Sequence, residues 1–318
     1  MTVTDPPLPV FDGPGLAALV SADDAVGALR TALLDGLDPA AAQPRSQVPV
    51  SAGHLLLMPA EHAGFAGVKV AGVAPDNPGR GLPRITGVYL LLDAATLRPL
   101  AILDGQALTL RRTSAVSALA VDALAVPDAG RLLLYGTGPQ ALAHAEAFAR
   151  VRRLRQVEVS GTRPERVEAL VARARAAGLP ASVAGPDAVR EADIVACCTS
   201  ADEPLFDGGQ LAAHATVVAM GSHTPEAREV DTRTVTRATP VVEDTATALR
   251  EAGDIMTPVA EGALDPAALV TLADVVRGTA PVDFSRPRLF KSTGMAWQDL
   301  VVAACAYRAA SARKDGSA

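Results

Sequence analysis

The chain has 318 residues, of which 49% are hydrophobic and 3% aromatic, and its formal net charge at pH 7 is −6. This length accommodates two domains, and the acidic balance without any lysine-rich stretch argues against a nucleic-acid partner. No window of 18 residues is both apolar and uncharged, and the start of the chain resembles no signal peptide, so we expect a cytoplasmic protein with no membrane span. Three cysteines, Cys197, Cys198 and Cys305, are too few and too poorly spaced for a disulfide framework or a zinc site, so no metal is expected.

The first third of the chain has the pattern of an α+β region. Residues 1–20 are rich in Pro and Gly and predict irregular structure at the start of the chain, and 21–24 predict the cap of a helix that runs to about Leu37. Short runs that alternate apolar and polar residues predict an antiparallel sheet, with strands at 47–50, 54–58, 67–73, 86–93 and 99–104. A helical pattern follows at 109–124.

A glycine motif opens the second part of the chain. The apolar run 132–135 leads into Gly136-Thr137-Gly138-Pro139-Gln140-Ala141, and an alanine-rich helical pattern follows. Strand, glycine turn and helix in this order form the dinucleotide-binding fingerprint G-x-G-x-x-A, in which the helix N-terminus binds the pyrophosphate. The motif predicts a nucleotide site. A P-loop is excluded, because no Gly-Lys-Ser/Thr follows.

Strands and helices alternate after this motif. Strands are predicted at 157–160, 181–183, 193–198, 216–220 and 240–243, with helical patterns in several of the gaps and a last helix at 295–311. This rhythm is typical of a parallel sheet covered by helices on both faces. The fold class is therefore α/β, with a Rossmann-type doubly wound parallel sheet beside an α+β domain.

The end of the second strand of this sheet bears on the cofactor. An NAD-specific site usually has Asp or Glu there, about 20 residues past the glycines, to bind the ribose hydroxyl. Here the strand ends in Ser160-Gly161-Thr162-Arg163, which has no carboxylate and offers donors for a 2′-phosphate. The sequence therefore favours NADPH and leaves NADH open, and Arg163 as an ordinary surface residue is the alternative.

Motifs spread from about Arg45 to Leu300 resemble the ornithine cyclodeaminase/mu-crystallin family. They include Leu57-Met58-Pro59, Val68-Lys69-Val70, Asp76-Asn77-Pro78, Arg111-Arg112-Thr113, the glycine turn with Gln140, Gly221-Ser222-His223, Arg228-Glu229-Val230-Asp231, Glu251-Ala252-Gly253-Asp254 and Phe290-Lys291-Ser292. The family contains cyclodeaminases, cyclic ketimine reductases and alanine dehydrogenases. The motifs together are specific for the family but leave the reaction open.

The resemblance implies a homodimer with two domains in each chain. Residues 1–113 with 295–318 would form the α+β domain for substrate binding and dimerisation, and 114–294 the dinucleotide-binding domain. Arg45, Lys69 and Arg112 would bind the substrate carboxylate, for which arginine and lysine are suited. Lys69, which could also protonate the substrate nitrogen, and His223 are the candidate catalytic residues. The candidate cofactor-binding residues are Arg112, Thr113, Gly136, Gly138, Pro139, Gln140, Ala141, Gly161, Thr162, Arg163, Thr199, Met220, Gly221, Ser222 and Ser292.

Two positions depart from the cyclodeaminase pattern. His223 stands where the resemblance leads us to expect an aspartate that handles the substrate amine, and Leu56 stands where a glutamate is common. His223 could still donate a proton at neutral pH, or simply line the nicotinamide loop. Losing two acids weakens the interpretation as a lyase.

We therefore expect an NAD(P)H-dependent reductase of a cyclic imino acid such as Δ1-pyrroline-2-carboxylate or Δ1-piperideine-2-carboxylate. Ornithine cyclodeaminase, which recycles NAD, and an alanine dehydrogenase-like oxidoreductase are the alternatives within the enzyme class. A crystallin-like ligand binder without catalysis is the alternative from a different class. In each case the expected ligand is a small imino or amino acid that bears a carboxylate.

Overall fold

The computed structural model describes residues 7–315 of the chain, which form two compact units. The first comprises the described chain up to Ala32, Ala41–Arg112 and the chain from Met295 onward. The second comprises Leu33–Ala40 and Thr113–Gly294. Residues 33–40 group with the second unit because the guanidinium of Arg277 donates to the carbonyl oxygens of Leu33 and Leu37. The domain limits 1–113 with 295–318 and 114–294 stay a prediction.

The described residues contain fourteen strands and eleven α-helices, joined by short 3-10 helices, turns and loops. The strands are β1 Val10–Phe11, β2 Ser46–Val50, β3 Gly53–His62, β4 Phe65–Val73, β5 Ile85–Asp93, β6 Pro99–Asp104, β7 Arg131–Tyr135, β8 Gln156–Ser160, β9 Ala181–Val183, β10 Ile194–Cys197, β11 Thr216–Ala219, β12 Thr239–Val242, β13 Val270–Thr271 and β14 Arg288–Lys291. The helices are α1 Gly13–Leu19, α2 Ala22–Leu34, α3 Gly105–Leu124, α4 Pro139–Val151, α5 Pro164–Ala176, α6 Ala188–Glu191, α7 Thr232–Arg237, α8 Thr245–Glu251, α9 Gly253–Ala260, α10 Leu272–Arg277 and α11 Ala296–Asp315.

The first unit contains a six-stranded sheet in the order β1-β6-β5-β4-β3-β2. Its five long strands are antiparallel, as predicted, but β1 pairs with β6 in parallel, which the sequence analysis did not foresee. The last helix, α11, packs on β3, β4 and β5. Because side chains alternate across a strand, one face of this sheet meets α11 and carries Met58, Lys69 and Tyr89 in one register row.

Residues 13–19 form α1, a helix that the sequence analysis did not predict. The helix begins because the Asp12 side chain accepts a hydrogen bond from the backbone N–H of Gly15, and Pro14 suits the first turn. Residues 1–6, at the start of the chain where irregular structure is expected, lie outside the described residues.

The second unit contains an eight-stranded, wholly parallel sheet in the order β13-β12-β14-β11-β10-β7-β8-β9. This confirms the predicted α/β class with a Rossmann-type sheet. Every residue of β10 and β11 is buried, as expected for strands covered on both faces. None of the helices in the described part of the chain is both long enough and apolar enough to cross a bilayer.

Strand β14 escaped prediction because charged residues stand at both of its ends. Arg288 and Lys291 are both buried, in a strand that pairs with β11 on one side and β12 on the other. Arg288 meets its hydrogen-bonding needs with the carbonyl oxygens of Leu124, Arg286 and His214. Because a charge is rarely buried without such partners, residue type alone argued against a central strand here.

Candidate functional site

Lys69 lies in the middle of β4 on the sheet face that meets α11. Its Nζ forms an ion pair with Asp299 of α11 at 2.8 Å and donates to the hydroxyl of Thr109 of α3 at 3.3 Å. The side chain of Asp299 is fully buried, and that of Lys69 is 7% exposed. The sequence analysis selected Lys69 but did not select its partner.

Burial lowers the pKa of the Lys69 ammonium from 10.5 to about 8, because water no longer stabilises its charge. The Asp299 carboxylate opposes this fall and raises the lysine pKa, whereas the positive charges of Arg112 and Arg45 lower it further. Lys69 is therefore mostly protonated at neutral pH, and it loses its proton about one pH unit higher. Such a group is suited to donate a proton to a bound molecule.

Arg112 lies beside this pair, on α3. Its Nη1 donates to Oε1 of Gln298 at 2.8 Å, and its Nε lies 3.4 Å from Oδ1 of Asp299. Arg112 is buried, and Arg45, just before β2, is partly exposed. We call Arg45, Lys69, Arg112 and Asp299 the cationic cluster, because it contains three cations and one carboxylate.

The cationic cluster keeps unused hydrogen-bonding capacity. Among the described residues, Nε of Arg112, Oδ1 of Asp299 and the hydroxyl of Tyr89 are buried without a hydrogen-bond partner. Tyr89 shares the register row of Lys69, and burial with the nearby charge of Asp299 raises its pKa well above 10. A small anion would both balance the excess positive charge and accept hydrogen bonds, so the cluster fits a carboxylate ligand.

The glycine turn, residues 136–141, lies in the second unit between β7 and α4. Gly136 has φ of +111°, and a Cβ at this position would collide with the carbonyl oxygen of Cys198. Gly138 is the N-cap residue of α4, with no side-chain cap, and a Cβ there would meet no atom within 4 Å. The backbone N–H groups at the start of α4 are thus accessible to a phosphate.

Other residues of the turn are consistent with this fit. Pro139 stands in the first turn of α4, Ala141 is fully buried, and Oε1 of Gln140 is buried without a hydrogen-bond partner in the described chain. A buried acceptor without a donor is rare in native proteins, so the amide of Gln140 is suited to a bound group. The turn has the residues that a dinucleotide pyrophosphate requires.

The end of β8 gives the surroundings expected for the ribose. Gly161, Thr162 and Arg163 are exposed, and Arg163 is the N-cap residue of α5. The nearby acid, Glu158, is buried and accepts a hydrogen bond from the backbone N–H of Gly185 at 3.2 Å. Its carboxylate is therefore used inside the fold.

A loop of residues 220–230 follows β11 and is held by two buried acids. Glu229 accepts hydrogen bonds from the N–H and the hydroxyl of Thr199, at 2.8 and 2.7 Å, and from the N–H of Gly221 at 2.6 Å. Asp254, at the start of α9, accepts from the N–H groups of Glu229 and Val230. Burial raises the pKa of Glu229, and the charge of Lys291 opposes that rise.

Lys291 at the end of β14 completes this arrangement. Its ammonium forms an ion pair with Asp254 at 2.8 Å and donates to the carbonyl oxygen of Ser222. The next residue, Ser292, donates to Glu243 at 2.9 Å. The hydroxyl of Ser222 donates to the carbonyl oxygen of Ala227, so both serine hydroxyls are used within the protein in this arrangement.

The remaining predicted residues lie in the second unit. His223 is exposed, with Nδ1 3.2 Å from the carbonyl oxygen of Gly221. Thr113, on α3, is buried, and Met220 directly follows β11 and is partly buried. These positions are compatible with the roles predicted for them, which stay predictions.

Sequence reasoning missed Asp299 and Gln298. Both lie in the first turn of α11, more than 180 positions from the residues they bind. An acid in a helical pattern normally indicates a solvent-exposed face. The available signal was that Asp299 falls within the mostly apolar run 295–306, where a charge needs a buried partner.

A parallel sheet with this glycine turn defines the class of dinucleotide-binding α/β proteins. The cationic cluster of the first unit is suited to a small carboxylate. Comparison with known proteins narrows the class. Residues 17–314 match the model of the ornithine cyclodeaminase/mu-crystallin family, and the chain belongs to that family, as the motifs predicted.

Three members of the family are similar to this chain over nearly its whole length. A Δ1-pyrroline-2-carboxylate/Δ1-piperideine-2-carboxylate reductase of Azospirillum brasilense is 37% identical over 98% of both chains. The solved structure of a Δ1-pyrroline-2-carboxylate reductase of Thermococcus litoralis, in complex with NADH and L-proline, is 28% identical with a TM-score of 0.89, over 96% of this chain and 98% of that one. An archaeal alanine dehydrogenase dimer with bound NAD is 27% identical with a TM-score of 0.89, over 96% and 97%.

Proposed function

We propose that this protein is an NAD(P)H-dependent reductase of cyclic imino acids of the Δ1-pyrroline-2-carboxylate and Δ1-piperideine-2-carboxylate type. The observation that carries the proposal is the cationic cluster, in which a lysine ammonium with a pKa of about 8 lies beside a buried arginine. The Azospirillum brasilense and Thermococcus litoralis relatives carry the names of this activity.

The reaction adds a hydride to the imine carbon and a proton to the ring nitrogen, giving proline or its six-membered homologue. A bound reduced nicotinamide supplies the hydride. Arg45 and Arg112 bind the carboxylate of the substrate, which fixes the ring. Lys69 keeps the imine nitrogen protonated, which makes the adjacent carbon electrophilic.

A panel of substrates tests the proposal directly. The purified protein is mixed with each cyclic imino acid and NADPH or NADH, and oxidation of the cofactor is followed by its absorbance. We expect turnover with at least one imine and loss of most activity in Lys69→Ala. No cofactor oxidation with either imine would refute the proposal.

Ornithine provides the contrast with a lyase. An ornithine cyclodeaminase releases ammonia from ornithine with no net change in the cofactor. We expect no such release, because His223 and the apolar Leu56 stand where the cyclodeaminase pattern has acids. Ammonia formation from ornithine without cofactor oxidation would favour the lyase.

We further propose that the cofactor is NADPH rather than NADH. The support is the end of β8, where three exposed residues, among them Arg163, occur without a free carboxylate. A guanidinium binds a 2′-phosphate well, whereas an NAD-specific site would have an acid here.

We also propose that the protein is a homodimer that pairs through the six-stranded sheet. Val48, Val50 and Val88 lie on the sheet face opposite α11 and are 43%, 46% and 48% exposed. A group of exposed valines on a sheet is typical of an interface. The archaeal alanine dehydrogenase of similar fold is described as a dimer.

A further inference from the structure

We propose that Asp299 is a positioning residue of the reaction, which holds Lys69 in its protonated form and orients its ammonium from α11. The inference rests on the proposed function and deepens it. Asp299 is the buried carboxylate that contacts both Lys69 and Arg112, at 2.8 and 3.4 Å.

The location of Asp299 suits a carboxylate that pairs with a cation. It lies in the first turn of α11, where the positive end of the helix dipole stabilises a carboxylate. The side chain is fully buried, so its partners rather than water must balance its charge. Oδ2 is used by Lys69, whereas Oδ1 makes no hydrogen bond within the described residues, so one oxygen is committed to the lysine.

The charges around Lys69 explain why it needs this partner. Arg112 of α3 and Arg45 before β2 both act against its protonation, as does burial. The neighbours from the other elements are Thr109 of α3, whose hydroxyl has no charge, and Tyr89 of β5. Burial raises the pKa of Tyr89, so it is uncharged as well. Asp299 is therefore the group that maintains the charge of Lys69 against two cations.

The composition of the chain suggests that position 69 requires a lysine rather than an arginine. Only three of its 29 basic residues are lysines, Lys69, Lys291 and Lys314, and the first two are buried in ion pairs with Asp299 and Asp254. Arginine serves nearly everywhere else. Arginine cannot release a proton at any ordinary pH, whereas a lysine with a lowered pKa can.

This scarcity of lysine allows the protonation of Lys69 to be measured directly. Labelling lysine with ¹³C at Cε gives three NMR signals, and K69R identifies the one that belongs to Lys69. We expect this signal to titrate near pH 8 in the wild type. In D299N we expect its midpoint to fall by about 1–3 pH units, the range for loss of an adjacent opposite charge, and in D299E to return towards the wild-type value.

The pH dependence of kcat/KM for the imine should move with this midpoint. In D299N the alkaline limb should shift to lower pH, and D299E should restore it. Because the ionisation of the substrate is the same in every variant, a shift between variants reports a group of the enzyme. The control is D193N, which removes a carboxylate that accepts backbone hydrogen bonds from Gly130 and Arg131 in the second unit. It should leave the limb unchanged.

Three outcomes would overturn the inference. The first is a Lys69 midpoint that is the same in D299N and the wild type. The second is a uniform loss of activity in D299N with the alkaline limb in place, which is what a purely structural role predicts. The third is a Lys69 titration midpoint that falls in D299N while the alkaline limb of the kcat/KM profile stays at the wild-type pH. Failure of the wild type to oxidise the cofactor with either imine would instead refute the proposed function, and the NMR titration would still test the Asp299–Lys69 contact.

Discussion

At the scale of single residues, the fold changes the chemistry of side chains by removing water from them. Lys69 and His144 are both buried, but with different partners. Lys69 has a carboxylate at 2.8 Å and stays charged at neutral pH. His144 bonds the carbonyl oxygen of Gln140 and the hydroxyl of Ser117, and burial lowers its pKa to about 4, so it is neutral.

His144 leads to a prediction about acid stability. Its folded-state pKa of about 4 lies below the value of 6.5 for the unfolded chain, so its contribution is present above pH 6.5 and is lost as the pH falls towards 4. Between pH 7 and 5 this loss amounts to about 2 kcal/mol. In urea unfolding, we expect the free energy of unfolding of H144Q to fall less between pH 7 and 5 than that of the wild type, by about that amount. H62Q is the control and should keep the wild-type dependence; a dependence unchanged in H144Q would contradict the prediction.

Arg163 leads to a prediction about cofactor choice. If its guanidinium binds the 2′-phosphate, R163A should raise KM for NADPH by about 10-fold or more, the value of a hydrogen bond to a charged group. KM for NADH should not change, because NADH lacks that phosphate. Steady-state kinetics with both cofactors measure this. Arg166, also exposed, provides the control R166A, which should leave both constants unchanged, and an equal loss with both cofactors in R163A would count against the assignment.

At the scale of elements, loop 220–230 shows how buried acids fix a backbone. Glu229 joins the N–H of Thr199 after β10 to that of Gly221 after β11. Asp254 then fixes the backbone of Glu229 itself, and Lys291 neutralises Asp254. The ends of three neighbouring strands are thereby connected by charge-assisted hydrogen bonds, which are stronger than neutral ones.

Glu229 leads to a prediction about this loop. In E229Q one carboxylate oxygen becomes an amide NH₂, which would face the backbone N–H of Gly221 or the two donors of Thr199. Leaving a buried donor without an acceptor costs about 1–3 kcal/mol. We expect a lower free energy of unfolding and a raised KM for the cofactor. E168Q, at an exposed position of α5, is the control; full stability and an unchanged KM in E229Q would show that the loop does not depend on this acid.

At the scale of the whole molecule, the sheet face opposite α11 is the surface expected to form the dimer. Isolated exposed valines are ordinary, but three on one sheet face suggest contact with another chain. A stable dimer buries about 800 Å² on each partner, which a six-stranded sheet can supply.

V88D places a charge in the centre of this face and should convert the dimer into a monomer, because a buried unpaired charge is costly. The mass in solution, measured by light scattering after size-exclusion chromatography, decides the outcome. V183D, at a valine of β9 that is 56% exposed, is the control and should remain dimeric. A dimer that survives V88D would place the interface elsewhere.

Much of this molecule followed from the sequence. The glycine turn, the strand–helix alternation and Lys69 within an apolar strand were recognised because their signals are local: a turn needs particular residues, and strands repeat with a period of two. Strands β1, β13 and β14 and helix α1 were not predicted. The charged residues Arg288 and Lys291 made β14 look unlike a buried strand, and β1 and β13 are only two residues long.

The family and the parallel sheet could be recognised from the sequence alone, because each motif and each strand–helix pattern is formed by residues close together along the chain. The residues expected to bind phosphate and carboxylate were selected in the same way and stay predictions. Which acid pairs with Lys69 depends on the packing of distant elements, which the local sequence pattern does not reveal. Asp299 is 230 positions away, and the contact exists because α11 packs on β4. The protonation of the lysine depends on that contact and on the exclusion of water, and no local pattern encodes either of them.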